Sequence, residues 1–178
     1  MQRIAILVAA AVTLTGLRST GEEISSRQFK FGVTLPDSNG WEIATNGPIG
    51  KDGSLYIAAA ANKVEFRSLA FIAAPLPTEP STGRKVETVA DNKEGFEKGF
   101  LKKADAKVSS TSMKIDGYDA YQIVALKTLP NGESRHVVGI TFFANGYSYS
   151  VSAATKIPFD KDDDLRRFIE SIRLSSPH

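Results

Sequence analysis

Two histidines, a run of aspartates and a few hydroxyl-bearing stretches are the residues of this chain best suited to acid–base, metal or nucleophilic chemistry. His136 follows Ser134 and Arg135, a set that could open a hydrolase site. No GxSxG elbow and no third triad member accompanies it, so His136 reads as a strand-end residue opposed to Thr155. His178 is the last residue of the sequence. A zinc centre needs about three clustered ligands, and no HExxH or equivalent spacing is present. Asp160, Asp162 and Asp164 have the first three ligand spacings of an EF-hand. Leu165 stands where the loop needs glycine and Ser171 where it needs glutamate, so these acids read as the cap of a helix. Gly47-Pro48-Ile49-Gly50-Lys51 lacks the spacing of a phosphate-binding loop, and the carboxylates Asp116 and Asp119 belong to a turn. With no cysteine in the chain, disulfides, thiolate metal sites and a cysteine nucleophile are all excluded. The expectation is a protein that is not an enzyme and uses no metal or cofactor.

The elements that position these side chains are organised around Tyr118 to Thr155, three extended segments hinged at Leu129-Pro130-Asn131-Gly132 and at Asn145-Gly146. Asn-Gly suits a two-residue type I′ turn, which needs positive φ at both central positions. The turn predicts the register: Ala144 opposes Tyr147, Phe142 opposes Tyr149, Ile140 opposes Val151 and Val138 opposes Ala153, all on one bulky apolar face. The other face carries Phe143, Thr141, Gly139 and Val137 against Ser148, Ser150, Ser152 and Ala154. Two readings of this small face stand: a helix lies close upon it, or it is an open groove for a ligand or partner strand. Pairing across Pro130-Asn131-Gly132 as a three-residue loop sets Lys127 opposite Arg135, an unfavourable pair that a one-residue shift would avoid.

Around the meander, Ser26 to Leu35 alternates as a half-buried strand, with Phe29, Phe31 and Val33 on one side. A turn at Pro36 to Gly40 leads to a short return strand at Trp41-Glu42-Ile43. Trp41 reads as a core plug or a ligand platform. Leu55 to Ala61 and Val64 to Ala73 are extended, and Pro75, Pro77 and Pro80 make an irregular connection. Lys85 to Lys103 is an amphipathic helix with Val86, Val89, Phe96 and Phe100 on one face. Its Gly95 and Gly99 are placed to allow close contact with the sheet. Ala106 to Ile115 is a strand turned by Asp116-Gly117, and Leu165, Phe168, Ile169 and Ile172 mark a final helix.

At the start, Met1-Gln2-Arg3 and the apolar run Ile4 to Leu17 have the form of a secretory signal peptide, too short for a settled membrane span. Residues 1–21 are expected to be this leader and 22–178 one domain. Leu14-Thr15-Gly16 resembles a lipobox, but Leu17 stands where the lipid-bearing cysteine would be. The expected product is a soluble exported protein, periplasmic or extracellular. Loss of Arg3 and Arg18 takes the net charge from +2 to zero, and no long basic block remains, which argues against nucleic acid as a partner.

Leu35-Pro36 with Trp41 soon after, a strand pair, a central helix, an Asp116-Gly117-Tyr118 turn into a long meander and the closing Asp164 to Ile172 helix together resemble the PsbP-like fold. This family includes a nuclear-import factor that binds the GTPase Ran and many small exported bacterial PsbP/DcrB-like proteins. The resemblance covers roughly Arg27 to Leu174 and implies an α+β fold, an antiparallel β-sheet meander flanked by helices (an α/β/α sandwich). It also implies a mostly non-enzymatic role as adaptor, assembly factor or extrinsic subunit. No functional residue carries over, because members bind unrelated partners through different surfaces. The chain is therefore expected to recognise another protein, the alternative being a carrier of a small apolar ligand held between sheet and helix. The candidate binding residues are Trp41, Phe96, Phe100, Tyr147 and Tyr149. An exposed apolar patch would favour the first role; a cavity enclosed by Phe96, Phe100, Tyr147 and Tyr149 would favour the second.

Overall fold

Asn145 and Gly146 adopt φ values of 53° and 83°, and Asp116 and Gly117 adopt 46° and 85°, the paired positive values of type I′ turns. These turns join β6 (Ala106–Ile115) to β7 (Tyr118–Thr128) and β8 (Ser134–Ala144) to β9 (Tyr147–Thr155). The computed structural model describes residues 21–36, 40–50, 53–79 and 81–174; the expected leader lies almost wholly outside them. Every pair expected across Asn145-Gly146 is formed, from Ala144 with Tyr147 to His136 with Thr155. Across the three-residue loop the unshifted register also forms, with Lys127 opposite Arg135 and Thr128 opposite Ser134. Leu129 N–H donates to Glu133 O at 2.8 Å and Gly132 N–H to Leu129 O at 2.9 Å. Loop closure and the apolar alternation of β7 thus outweigh the like-charge contact.

The meander extends into an antiparallel seven-stranded sheet ordered β3-β4-β5-β9-β8-β7-β6, where β3 is Trp41–Ile49, β4 Leu55–Asn62 and β5 Arg67–Pro75. Trp41 therefore opens a nine-residue strand paired to β4, and does not fold back on the preceding strand. The expected Ser26 to Leu35 strand is a hairpin. β1 (Glu23–Ser26) pairs β2 (Phe31–Thr34) across a turn closed by Lys30 at φ 52°, and β10 (Arg173–Leu174) joins β2 on its other side. Even so, Phe29, Phe31 and Val33 are all buried, as their alternation predicts.

This small sheet and helix α2 (Asp163–Glu170) cover the aromatic face of the large one. Phe31 meets Phe71 at 4.7 Å between ring centroids, Phe142 stacks on Tyr149 at 5.2 Å, and Tyr149 Oη donates to Phe29 O at 2.8 Å. Each fully buried side chain of this size contributes roughly 1.5–3 kcal/mol, so this layer dominates the stability.

Helix α1 (Val89–Leu101) lies on the opposite, small face and buries no residue fully. Thr88 caps it, its Oγ1 accepting from Asp91 N–H at 3.2 Å. The close approach comes from the sheet, not from the helix glycines: a Cβ on Gly95 or Gly99 would meet nothing within 4 Å, whereas one on Gly139 would lie 2.5 Å from Phe100 Cε2. Phe96 and Phe100 occupy the space that Gly139 leaves, while Glu97 pairs with Lys107 and accepts from Tyr121 Oη at 2.6 Å. The expected helix over the small face is present, but Ser152 remains exposed. No helix among the described residues is long and apolar enough to cross a membrane.

Asp162 ties α2 to the large sheet. Its Oδ1 accepts Leu165 N–H at 3.0 Å as the helix cap and also pairs with Arg67 Nη2. Arg67 Nη1 reaches Asp164 at 3.1 Å and Glu65 at 2.8 Å, and its guanidinium lies 5.0 Å from the Trp41 ring. Burial alone would lower the Arg67 pKa, but the Glu65 hydrogen bond and the charges of Asp162, Asp164 and Glu65 together raise it.

Substitutions at Gly139, Asp162 and Glu65 test which contacts hold these layers. Gly139→Ala is expected to cost about 1–3 kcal/mol in urea denaturation, through overpacking against Phe100. Most of that cost should vanish in a Phe100→Ala background, and an undiminished cost there would show that the contact is not the cause. Asp162→Ala removes a cap and leaves Arg67 short of its fully buried partner, for an expected loss of about 3 kcal/mol. Glu65→Gln, which removes a half-exposed partner, should cost less than about 1 kcal/mol.

Candidate functional site

The five candidate aromatic residues are split by the sheet. Phe96 and Phe100, with ring centroids 6.1 Å apart, face Gly139 from α1. Tyr147 and Tyr149 project from the other side, where Tyr147 meets Phe29 at 5.5 Å. The alternation of β9 sends both tyrosines inward, so an enclosed cavity lined by all four does not form. Burial, followed by the nearby Tyr147 and Tyr118, pushes the Tyr149 hydroxyl well above its usual pKa and keeps it a neutral donor. Trp41 belongs to neither group. It is 6% exposed and donates Nε1–H to Asp164 Oδ2 at 3.0 Å, the geometry of a core plug. Its indole nitrogen and its face are both engaged, by Asp164 and Arg67, which leaves little of the ring for a ligand.

Surface depressions of about 290 Å³, lined by Ala90, Lys93, Glu94 and Glu97, and about 270 Å³, between Leu35, Asp164, Arg167 and Phe168, carry charged walls. Both are open to solvent, without the enclosure typical of a small-molecule site.

The feature that stands out lies where β4 turns into β5. Val64 is 81% exposed and Phe66 66% exposed, while Ile157, just beyond β9, is 44% exposed. The antiparallel register of β5 with β9 carries the turn beside Lys156 and Ile157. Lys156 Nζ accordingly lies 5.6 Å from the Phe66 ring centroid. Three large apolar side chains therefore share one corner of the sheet, against the tendency of surface apolar residues to be scattered.

The backbone of that turn is unusual. Phe66 has φ 52°, a left-handed conformation that Gly and Asn adopt readily and a bulky aromatic residue does not. The neighbouring residues hold it there. Asn62 is buried and its Oδ1 accepts Glu65 N–H at 3.0 Å, while Arg67, next in the chain, is clamped by Asp162 and Asp164. Reading Val64 to Ala73 as one strand hid this turn, which in fact occupies Lys63 to Phe66. The available signal was Asn62-Lys63, a turn pair with no glycine after it to take the left-handed position.

By sequence the chain matches no protein-family model and no curated protein. In structure it is similar to the solution structure of cyanobacterial PsbP (CyanoP) from Synechocystis sp. PCC 6803, with a TM-score of 0.56 and 15% identity over 92% of this chain and 98% of that one. LpqN, a protein involved in cell envelope biogenesis of Mycobacterium tuberculosis, matches with a TM-score of 0.45 and 13% identity over 82% of this chain and 83% of that one. The cyanobacterial match spans nearly the whole of both chains. The chain has the PsbP-like fold.

Proposed function

We propose that this protein is an exported, non-enzymatic binding domain that recognises another protein, and that Val64, Phe66 and Ile157 form the contact. Phe66 is the observation that supports this reading most directly. A left-handed conformation costs an ordinary residue about 1–2 kcal/mol, and an aromatic ring left 66% exposed recovers little of that by burial. Strain kept at a position with no packing benefit is characteristic of binding sites. A large ring beside an aliphatic side chain also suits an apolar pocket on a partner, where such anchors supply most of the binding energy.

The non-enzymatic part of the proposal rests on where the acid–base groups sit. His136 lies within β8, opposite Leu126 on one side and Thr155 on the other, and Asp162 and Asp164 are committed to Arg67 and to the cap of α2. Export rests on the form of Met1 to Gly21 as a leader.

Phe66→Asn separates stability from binding. Relief of strain should outweigh loss of the exposed Lys156 contact, which is worth about 0.5–1 kcal/mol. The variant should be at least as stable as the parent in urea, and should fail to retain the partner that the parent cross-links through position 64 or 157 in its host. A destabilised variant, or one that keeps the same cross-linked partner at the same yield, would sink the proposal.

A further inference from the structure

Next to the apolar corner, a row of cations crosses the ends of the central strands on the sheet face that carries α1. Lys127 of β7 is paired directly with Arg135 of β8. Thr155 opposes His136, so Lys156 continues the row on the far side of Arg135. Like charges directly opposite one another destabilise a sheet. Here the middle member is also the most buried, with Arg135 only 4% exposed.

The hydrogen bonds of Arg135 are incomplete in a particular way. Nη1 donates to Ser134 O at 3.2 Å and Nη2 to Glu133 Oε2, but Nε finds no acceptor although it is buried. Nε and Nη2 form the side of the guanidinium that grips a carboxylate or phosphate through two parallel bonds. Glu133 uses one of the two. It is a loop residue with its side chain 46% exposed, so it can swing away without disturbing a strand. The Arg135 hydrogen bond and charge, then Asn131, then the charge of Lys156, hold the Glu133 carboxyl below its usual pKa, which places Lys156 within electrostatic reach of the same seat. At the rim, Lys127 is held by Asp105 at 3.2 Å, and Lys156 rests over Phe66.

We infer that this corner is an oxyanion-binding site, in which an external carboxylate or phosphate displaces Glu133, takes both Nε and Nη2 of Arg135, and is flanked by Lys127 and Lys156. Glu133 is then a tethered stand-in for the ligand. Its single bond keeps the buried guanidinium from standing unpaired, and its exposure lets a better acceptor replace it. The site is distinct from the Val64–Phe66–Ile157 contact and does not depend on it.

The test follows the Arg135 Nε–H resonance of the full domain by NMR while inorganic phosphate is titrated at ionic strength held constant with sodium chloride. Parallel sedimentation uses vesicles of phosphatidylcholine with or without phosphatidylglycerol. Phosphate should shift that resonance, binding about tenfold more tightly to Glu133→Gln than to the parent; in Arg135→Lys, followed through the backbone amides of Glu133 and Lys156, it should bind about tenfold more weakly than to the parent. If Arg135→Lys does not fold, Lys156→Gln should still weaken phosphate binding in the Glu133→Gln background. Binding to phosphatidylglycerol vesicles without binding of free phosphate would also support the site and assign the oxyanion to a lipid headgroup. No response of folded Glu133→Gln protein to either probe would overturn it, as would phosphate binding that chloride reproduces or that Arg135→Lys leaves unchanged. Because no variant alters Val64, Phe66 or Ile157, such a failure would leave the proposed protein contact standing.

Discussion

The segregation of side chains across the β8–β9 pair is the constraint on which the rest of the molecule depends. A type I′ turn at Asn145-Gly146 permits one register, and slipping it by one residue would exchange the two faces entirely. In the register observed, Phe142, Tyr149 and Val151 point one way and Gly139, Ser150 and Ser152 the other. The first set can be covered only by an apolar layer, which the β1–β2–β10 sheet and α2 provide. The second set admits a helix only where a side chain is missing, and α1 settles with Phe100 over Gly139. One cover is therefore a deep aromatic core, and the other is a helix held by two rings and a few polar ties. Few buried contacts mean low local stability, so α1 is the part of the sandwich expected to loosen first.

This constraint also explains what could be read from residue order. The turn at Asn145-Gly146 is set by two adjacent residues, and with it the whole β8–β9 register was legible; across Pro130 to Gly132 the register with the adverse Lys127–Arg135 pair was one of two left open, and the irregularity between Lys107 and Ser109 in β6 carried no local signal. The assignment of β3 was not legible. Trp41 pairs with Asn62 across a connection that adjacent residues do not specify, and nothing local separates this arrangement from a return onto Phe31. The helix glycines misled for a related reason. Gly95 and Gly99 have the right spacing for close contact, but the helix is rotated so that Phe96 and Phe100 meet the sheet, and that rotation depends on the shape of the opposing surface. Among the candidate residues, Trp41 was recognisable as a core plug. Phe66 was not recognisable as exposed, because an apolar residue near a strand start has the same sequence signature whether it enters the core or leaves it.

The exposed corner is best understood through what supports it. Arg67 follows Phe66 directly, and Asp162, Asp164 and the Trp41 ring fix its position; Asn62 closes the turn from the other side. Such a frame can hold an unfavourable φ at Phe66 because the geometry is determined by partners on β3, β4 and the start of α2 together. A ring presented by that frame loses little conformational freedom when it enters a pocket, so less of its contact energy is spent on ordering. The same frame bears on Arg135. Lys156 is placed between Phe66 and the cation row by the β5–β9 register, so the apolar and cationic parts of the corner lie side by side. A partner carrying an acidic group beside an apolar pocket would meet both at once, and the geometry between the two contacts would discriminate it from partners that offer either feature alone.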